Sequence, residues 1–267
     1  MVRLRQRLLC MYKVMPAICF LTVRPVAAFV EFCKSLKNDE YDIFICVDDN
    51  TWSIPEINDA VKIIKMDNAD AEREGFKSCV QPLPGKACSR DKALYYFARI
   101  DQSYEQIWFI EEDVFVPTVT TISDIDAKYP GGDLLTSGHS TDAETRNWPH
   151  WNHVVHTNGI KLPPPYATSM ICAIRVSRAL LGAVDAYATA HKNLFMDEAL
   201  FNTLAIHNNL EVLPIAELST IRWRHDWKLS DIQPTHLYHP VKLIAQQVAW
   251  RNGDEFNVAT RLCRMRK

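Results

Sequence analysis

Ile107-Trp-Phe-Ile-Glu-Glu-Asp-Val-Phe-Val-Pro117 runs four apolar residues into three carboxylates and then resumes as Val114-Phe115-Val116. A short apolar run bounded in this way predicts a strand buried on both faces, with the acids at the edge of a sheet. Three adjacent carboxylates repel one another, so Glu111, Glu112 and Asp113 need cations or hydrogen-bond donors wherever they are packed. A divalent metal is the economical supply. Magnesium or manganese takes oxygen ligands and leaves positions for substrate phosphates, which points to a nucleotide-diphosphate substrate. The plainer alternative is a solvated acidic turn after an ordinary strand.

Upstream of this stretch, Met15 to Val23 is an apolar, β-rich run, and Val26, Phe29, Val30, Cys33 and Leu36 then fall on one helical stripe. Tyr41 to Val47 predicts a second buried strand, which also ends in carboxylates, Asp48 and Asp49. Val61 to Met66 predicts a third. A polar segment containing Gly75, Pro82, Pro84 and Gly85 leads to Ser89, a candidate N-cap for a helix reaching Arg99 with Ala93, Leu94, Phe97 and Ala98 on its apolar face. Successive βα units of this kind build an open, mainly parallel sheet whose ligands lie beyond the carboxyl ends of the strands. The acids of the second strand and of the Ile107 strand should therefore converge.

Downstream, a helix is expected within Val119 to Tyr129, a turn at Gly131-Gly132 and a short strand over Asp133 to Ser137. The stretch from Gly138 to Pro165 has little periodicity but carries His139, Trp148, His150, Trp151, His153 and His156, which suits a binding loop or lid. Strands are expected over Ala167 to Val176, Glu211 to Ile215 and Thr220 to Trp223. Helices are expected over Ser177 to His191, Asp197 to Ile206 and Leu243 to Trp250.

The 267 residues, 48% hydrophobic and 23% charged, fit one α/β domain. Within it residues 15–115 would form a nucleotide-binding half, 116–250 an acceptor-binding half and 251–267 a tail. A formal net charge of −2 gives no reason to expect a nucleic-acid partner, although Arg261 to Lys267 carries four basic groups. The eight cysteines show no CxxC pair and no regular spacing, so reduced thiols in a cytosolic compartment are expected. Arg3, Arg5 and Arg7 precede the first apolar run, but Arg24-Pro25 cuts that run short of the roughly 20 residues a membrane span needs. No membrane anchor is therefore expected, and because Pro16 to Val23 also makes a good first core strand with no clean small-residue cleavage site after it, neither is a signal peptide; the location expected is cytoplasmic.

This order of parts resembles the GT-A glycosyltransferase fold, a single Rossmann-like α/β domain. Its DXD motif at the fourth strand binds a metal and a nucleotide-sugar. In overall character rather than in any one motif, the chain also resembles the cytosolic glycosyltransferases of large algal viruses. The resemblance implies an enzyme of glycan biosynthesis with a manganese or magnesium cofactor, a donor that is a UDP-sugar, and a glycan or glycoprotein acceptor. Glu111-Glu112-Asp113 looks like an acidic variant of DXD. It implies Asp113 as the metal ligand, with Glu111 and Glu112 as contacts to ribose or metal-bound water.

By the same resemblance Asp48 and Asp49 would meet the nucleotide base, Thr22 and Arg24 would form the first nucleotide loop, and Arg90 and Lys92 would face base or phosphate. His239 would complete the metal or diphosphate site with Lys242 nearby. Asp197-Glu198 resembles the acidic pair that supplies the base of inverting members. The usual order is Glu-Asp, so which of the two is the base stays open.

Glycosyl transfer needs charge neutralised on the departing diphosphate, a deprotonated acceptor hydroxyl and exclusion of water. Trp148 and Trp151, with His153, suit a platform for sugar rings, whose apolar faces stack on indole. Helix-opening acids also simply favour the macrodipole, and His150, His153 and His156 could instead hold a transition metal. Trp223 to Trp227 could line the acceptor cleft or be an amphipathic strand and rim. Two other functions compete: a non-catalytic carbohydrate-binding protein of the same fold, and a sugar-phosphate nucleotidyltransferase. The latter needs a glycine-rich loop that Val23-Arg-Pro-Val26 does not offer.

Overall fold

A computed structural model of the chain describes residues 15–53, 60–80, 85–157 and 159–256. The N-terminal arginines, Pro82, Pro84 and the basic tail lie outside these residues. The elements in chain order are β1 (Ala17–Thr22), α1 (Ala27–Ser35), β2 (Asp42–Val47), β3 (Lys62–Ile64), α2 (Asn68–Arg73), α3 (Ser89–Tyr95), β4 (Gln106–Glu111), α4 (Thr121–Lys128), β5 (Leu134–Thr136), β6 (Ser140–Thr141), β7 (Ala167–Thr168), β8 (Ala173–Ser177), α5 (Arg178–His191), α6 (Asp197–His207), β9 (Val212–Pro214) and α7 (Ile244–Arg251).

Seven strands form one mixed sheet in the order β3-β2-β1-β4-β8-β5-β9. β1 pairs in parallel with both β2 and β4, β2 with β3, and β5 with β9. Only β8 runs against its neighbours. This is the α/β class expected from the sequence, a mainly parallel sheet flanked by helices. Both expected halves of the chain contribute strands to it.

The sheet has two apolar faces because its central strands are buried on both sides. Along β1, Ala17, Cys19 and Leu21 pack with α3, α5 and α6, while Ile18 and Phe20 pack with α1 and α4. Each fully buried side chain of the Leu, Ile or Phe type contributes about 1.5–3 kcal/mol, so the β1–β4 centre is the mechanical base of the molecule. From β1 the chain winds outward to β2 and β3, then returns to the opposite side of β1 as β4. The β1/β4 boundary is therefore a topological switch point, where a crevice opens at the carboxyl ends of the strands.

Several local expectations are corrected. The helix beginning at Ser89 is capped by Cys88, whose thiol and backbone N–H form a reciprocal box with Asp91. Beyond Tyr95 the helix widens into a π turn over Tyr96–Ile100. The expected strand from Ala167 to Val176 breaks into β7 and β8, which lie in different sheets. Thr220 to Trp223 forms no strand. It meets the chain through one bridge, Ile221 to His239, in which Arg222 N–H donates to the His239 carbonyl and His239 N–H to the Thr220 carbonyl, each at 3.2 Å. The Gly131-Gly132 turn is real, and a side chain at Gly132 (φ +85°) would come within 2.6 Å of Leu213 Cδ1, so only glycine fits. Among the described residues no helix is long and apolar enough to cross a membrane.

Candidate functional site

The carboxyl ends of β1, β2 and β4 open into two adjoining clefts. The smaller, about 400 Å³, lies over Thr22, Asp48, Ser89, Arg90 and Glu112. The larger, about 1030 Å³, is lined by Met170, Cys172, Asp197, Glu198, the Trp223–Asp226 segment and His239. Glu111, Asp113 and Lys242 line both, so the acidic turn after β4 is the shared wall.

Backbone register explains why His239, distant in sequence, reaches this wall. Val114 N–H returns to the Glu111 carbonyl at 2.9 Å, which closes the turn carrying Glu112 and Asp113. Phe115 then forms an antiparallel bridge with Tyr238, and Val241 N–H donates to the Asp113 carbonyl at 2.7 Å. The late segment is thus held against the turn on either side of His239, at Tyr238 and Val241. The result places His239 Nε2 3.4 Å from Asp113 Oδ1. His239 Nδ1 donates to the Arg222 carbonyl at 2.7 Å, because a carbonyl can only accept. That bond aims Nε2 at the carboxylate.

A neutral imidazole would set its lone pair against a carboxylate oxygen, so this pair needs either a proton or a cation between its two atoms. Burial works to raise the Asp113 carboxyl, but the hydrogen bond and charge of His239, with Lys242, outweigh it and hold Asp113 below the usual carboxylate range. Burial opposes charge on His239 as well, and Asp113 nevertheless lifts it above the usual histidine range. Glu111, Cys172 and His239 also present donor atoms within 4.8 Å of one another. The Asp113 and Glu111 carboxylates, with an imidazole whose other nitrogen is already committed, could supply donors to a divalent cation.

On the other side of Glu111 sits a different arrangement. Arg90, only 2% exposed, donates from Nη2 to Glu111 Oε1 at 2.6 Å and lies 3.0 Å from Asp197 Oδ2 through Nε. One guanidinium thus links the acidic turn of β4 to the first residue of α6. Burial pushes the Asp197 carboxyl up to about 7, partly offset by Arg90 and reinforced by Glu111 and Glu198. Burial pushes Glu198 up to about 7 as well, with Glu111 adding to the rise and Arg90 opposing it. Asp197 Oδ1 also accepts the Glu198 amide at 2.9 Å, so the helix-opening role of this acid is present together with its place in the cleft.

The nucleotide-side residues divide. Thr22 Oγ1 donates to Glu112 Oε2 at 2.5 Å across the switch point, and burial raises the Glu112 carboxyl despite that bond. Asp48 lines the smaller cleft. Arg24 is exposed and paired with Asp49, and neither residue lines a cleft. Lys92 is fully buried, and its amine donates to the Asp48 carbonyl and to Asn50 Oδ1, each at 2.7 Å, so it ties down the end of β2.

Of the tryptophan loop, the two indoles turn away from the clefts. Trp148 and Trp151 pack edge to face at 4.7 Å and lean on the core beside α6, with the Trp151 indole N–H held by the Thr145 carbonyl at 2.9 Å. His150 reaches the larger cleft, whereas Trp148, Trp151 and His153 do not line it. Among the described residues, His150, His153 and His156 are not one of the groups close enough to share an ion.

The aromatic that does face the larger cleft is Trp223, 64% exposed, with the Arg224 guanidinium 5.7 Å from its ring. Sequence reasoning left it undecided, and it passed over Cys172, which only the antiparallel pairing of β4 with β8 brings beside Glu111.

No family model and no curated protein matches the chain. Among solved structures it is similar to mouse xyloside xylosyltransferase 1 in its apo form, with a TM-score of 0.40 and 10% identity over 75% of this chain and 84% of that one. It is similar to A197 from STIV, with a TM-score of 0.32 and 15% identity over 74% and 80% of the two chains. It is also similar to glucosyl-3-phosphoglycerate synthase from Mycobacterium tuberculosis in complex with Mn2+, UDP and phosphoglyceric acid, with a TM-score of 0.35 and 10% identity over 91% and 80%. None of these likenesses carries a residue's role into this chain. The functional reading rests on the cleft's own side chains.

Proposed function

We propose that the protein is a metal-dependent glycosyltransferase that moves a sugar from a nucleoside diphosphate donor, a UDP-sugar, to a glycan hydroxyl with inversion. The observation that carries this reading is the division of one acidic wall into two chemistries. Asp113 is held ionised opposite His239, whereas Asp197 and Glu198 are held near neutrality in the adjoining cleft.

Asp113 and His239 would hold the divalent ion, with Glu111 beside them. The ion would neutralise charge on the leaving diphosphate. The smaller cleft, floored by Thr22 and Asp48 at the ends of β1 and β2, suits the nucleoside. Lys242, exposed at the junction of the clefts, suits a phosphate oxygen.

Asp197 or Glu198 would accept the proton of the acceptor hydroxyl. A carboxyl near 7 is a far better proton acceptor than one at its ordinary value, and at neutral pH a useful fraction is still ionised. Glu198 is the more exposed of the two and is not in contact with Arg90, so it is the preferred base; Asp197 holds Arg90 in place. Trp223 would stack against a sugar of the acceptor.

A non-catalytic carbohydrate-binding protein has no use for two carboxyls kept costly and reactive beside a cation site, which disfavours that alternative. Calorimetry of the full chain with UDP and manganese should show heat that disappears when the metal is chelated. Screening UDP-sugars for manganese-dependent donor hydrolysis should then identify the sugar. Absence of both signals would overturn the reading.

A further inference from the structure

Behind the smaller cleft lies a second donor cluster that the proposed reaction does not use. The Cys79 and Cys88 sulfurs and an Asp91 carboxylate oxygen all lie within 4.8 Å of one another. Cys88 and Asp91 come from one short segment, three residues apart at the start of α3, and Cys79 comes from the loop before it. A close pair plus a ligand from a separate segment is how structural zinc sites commonly assemble their donors.

Asp91 supplies a second observation. It is fully buried, and among the described residues no lysine, arginine or histidine pairs with it. Its contacts are the Cys88 amide at 3.1 Å, the Cys88 thiol at 3.2 Å and the Cys79 amide at 3.4 Å. A fully buried carboxylate that meets two thiol-bearing residues and their amides, and no cationic side chain among the described residues, offers a cation a ready ligand.

We infer that Cys79, Cys88 and Asp91 form a soft-donor metal site that takes zinc, separate from the oxygen- and nitrogen-rich Asp113–His239 pair. Two sulfurs select zinc over manganese or magnesium. Binding converts two thiols to thiolates and releases two protons, leaving the three-ligand centre with a net charge of −1. Cys88 lines the smaller cleft, which provides the route of entry and leaves a fourth position for water.

The position has a structural consequence. The Cys79 carbonyl accepts the Asp197 amide at 2.7 Å, and Cys88 lies two residues before Arg90. An ion bridging Cys79 to Cys88 would therefore fasten together the segments that present Arg90 and Asp197.

This inference stands apart from the glycosyltransferase reading and is tested without any assay of activity. The reduced full chain, stripped with a chelator and dialysed, is titrated with cobalt(II). One equivalent should produce a thiolate-to-cobalt charge-transfer band, zinc should displace it stoichiometrically, and zinc should raise the melting temperature. Cys79→Ser and Cys88→Ser should each abolish the band. Cys88→His, which keeps a donor, should retain cobalt with a weaker band, and Cys172→Ser should retain it in full.

No band in the unmodified chain would overturn the inference. Loss of the band in Cys172→Ser would also overturn it, because the ion would then sit beside Glu111 and His239. A third overturning result is a Cys79–Cys88 disulfide formed with a small-molecule disulfide, together with no cobalt uptake by the reduced chain. The two cysteines would then be a redox pair.

Discussion

Asp113 and Asp197 are both largely withdrawn from water and both have a cationic side chain within 3.4 Å, yet their carboxyls move in opposite directions. Asp113 is the acid that pairs with His239, with Lys242 close by, while Glu111 adds to the negative charge around that imidazole. Asp197 shares one guanidinium with Glu111 and has Glu198 as its neighbour in the chain. One positive charge facing three acids does not outweigh burial and mutual repulsion at Asp197, whereas His239 and Lys242 together do at Asp113. The fold uses this arithmetic to place an ionised carboxylate and two near-neutral carboxyls along one wall. The proposed transfer would use that contrast, one group holding a cation while another takes a proton.

Removing the ionised side should have the largest effect. Asp113→Ala is expected to lower metal-dependent transfer by about a thousandfold or more, several kcal/mol of lost charge stabilisation, while the chain stays folded. Retained manganese-dependent UDP binding in this variant would break the comparison.

Arg90→Met removes the shared cation and leaves Asp197 buried without it. Broken buried pairs cost about 3–5 kcal/mol, and because Asp197 can take up a proton the loss should fall near the lower end, read as a shift in urea midpoint. A change within error would mean that the guanidinium does not hold the wall together.

Glu198→Gln should cost about a hundredfold in kcat if this residue is the base, with Asp197→Asn acting mainly through stability. In the unmodified protein kcat/KM should rise as pH increases through about 7, because the base works only when ionised. Glu198→Gln should lack that limb. Full activity in both variants would remove the acids from catalysis.

The same two carboxyls also make stability depend on pH. Their folded values lie above the unfolded ones, so the stability they contribute is complete below the ordinary carboxylate range and is lost as pH rises through about 7. The melting temperature should therefore be higher at pH 5.5 than at pH 8, and Glu198→Gln should flatten that slope.

Trp223→Ala should have the smallest effect, raising KM for the acceptor by about three- to tenfold with little change in donor hydrolysis, since a stacked ring contributes about 0.5–1.5 kcal/mol. An unchanged KM would show that the acceptor does not lie on this indole.

The sequence carried much of the frame. The apolar runs that end at Thr22, Val47 and Glu111 announce buried strands, because a strand covered on both faces has no polar alternation to hide. The order of strand and helix between them is enough to imply parallel pairing and a crevice at the carboxyl ends. The helix opening with Asp197 and Glu198 was legible too, since two acids precede Ala199-Leu200-Phe201 and Leu204-Ala205-Ile206.

Other features were not legible. Trp148 and Trp151 advertise a sugar platform by composition, but whether an indole faces a cleft or the core depends on the path of the loop, which has no periodicity to read. Ala167 to Val176 looks like one strand because its apolar run hardly breaks, yet the chain leaves one sheet and joins another within it.

What the sequence determined by itself was therefore where carboxylates end strands, since hydrophobic patterning is local and each residue reports its own preference. Only the tertiary structure decided what each carboxylate meets. The Phe115–Tyr238 bridge brings His239 to Asp113, and the packing of α3 beneath β1 brings Arg90 between Glu111 and Asp197. Burial and neighbouring charge are properties of that assembly and of no single segment, and they set which acid on the wall after β4 stays ionised and which is poised near neutrality.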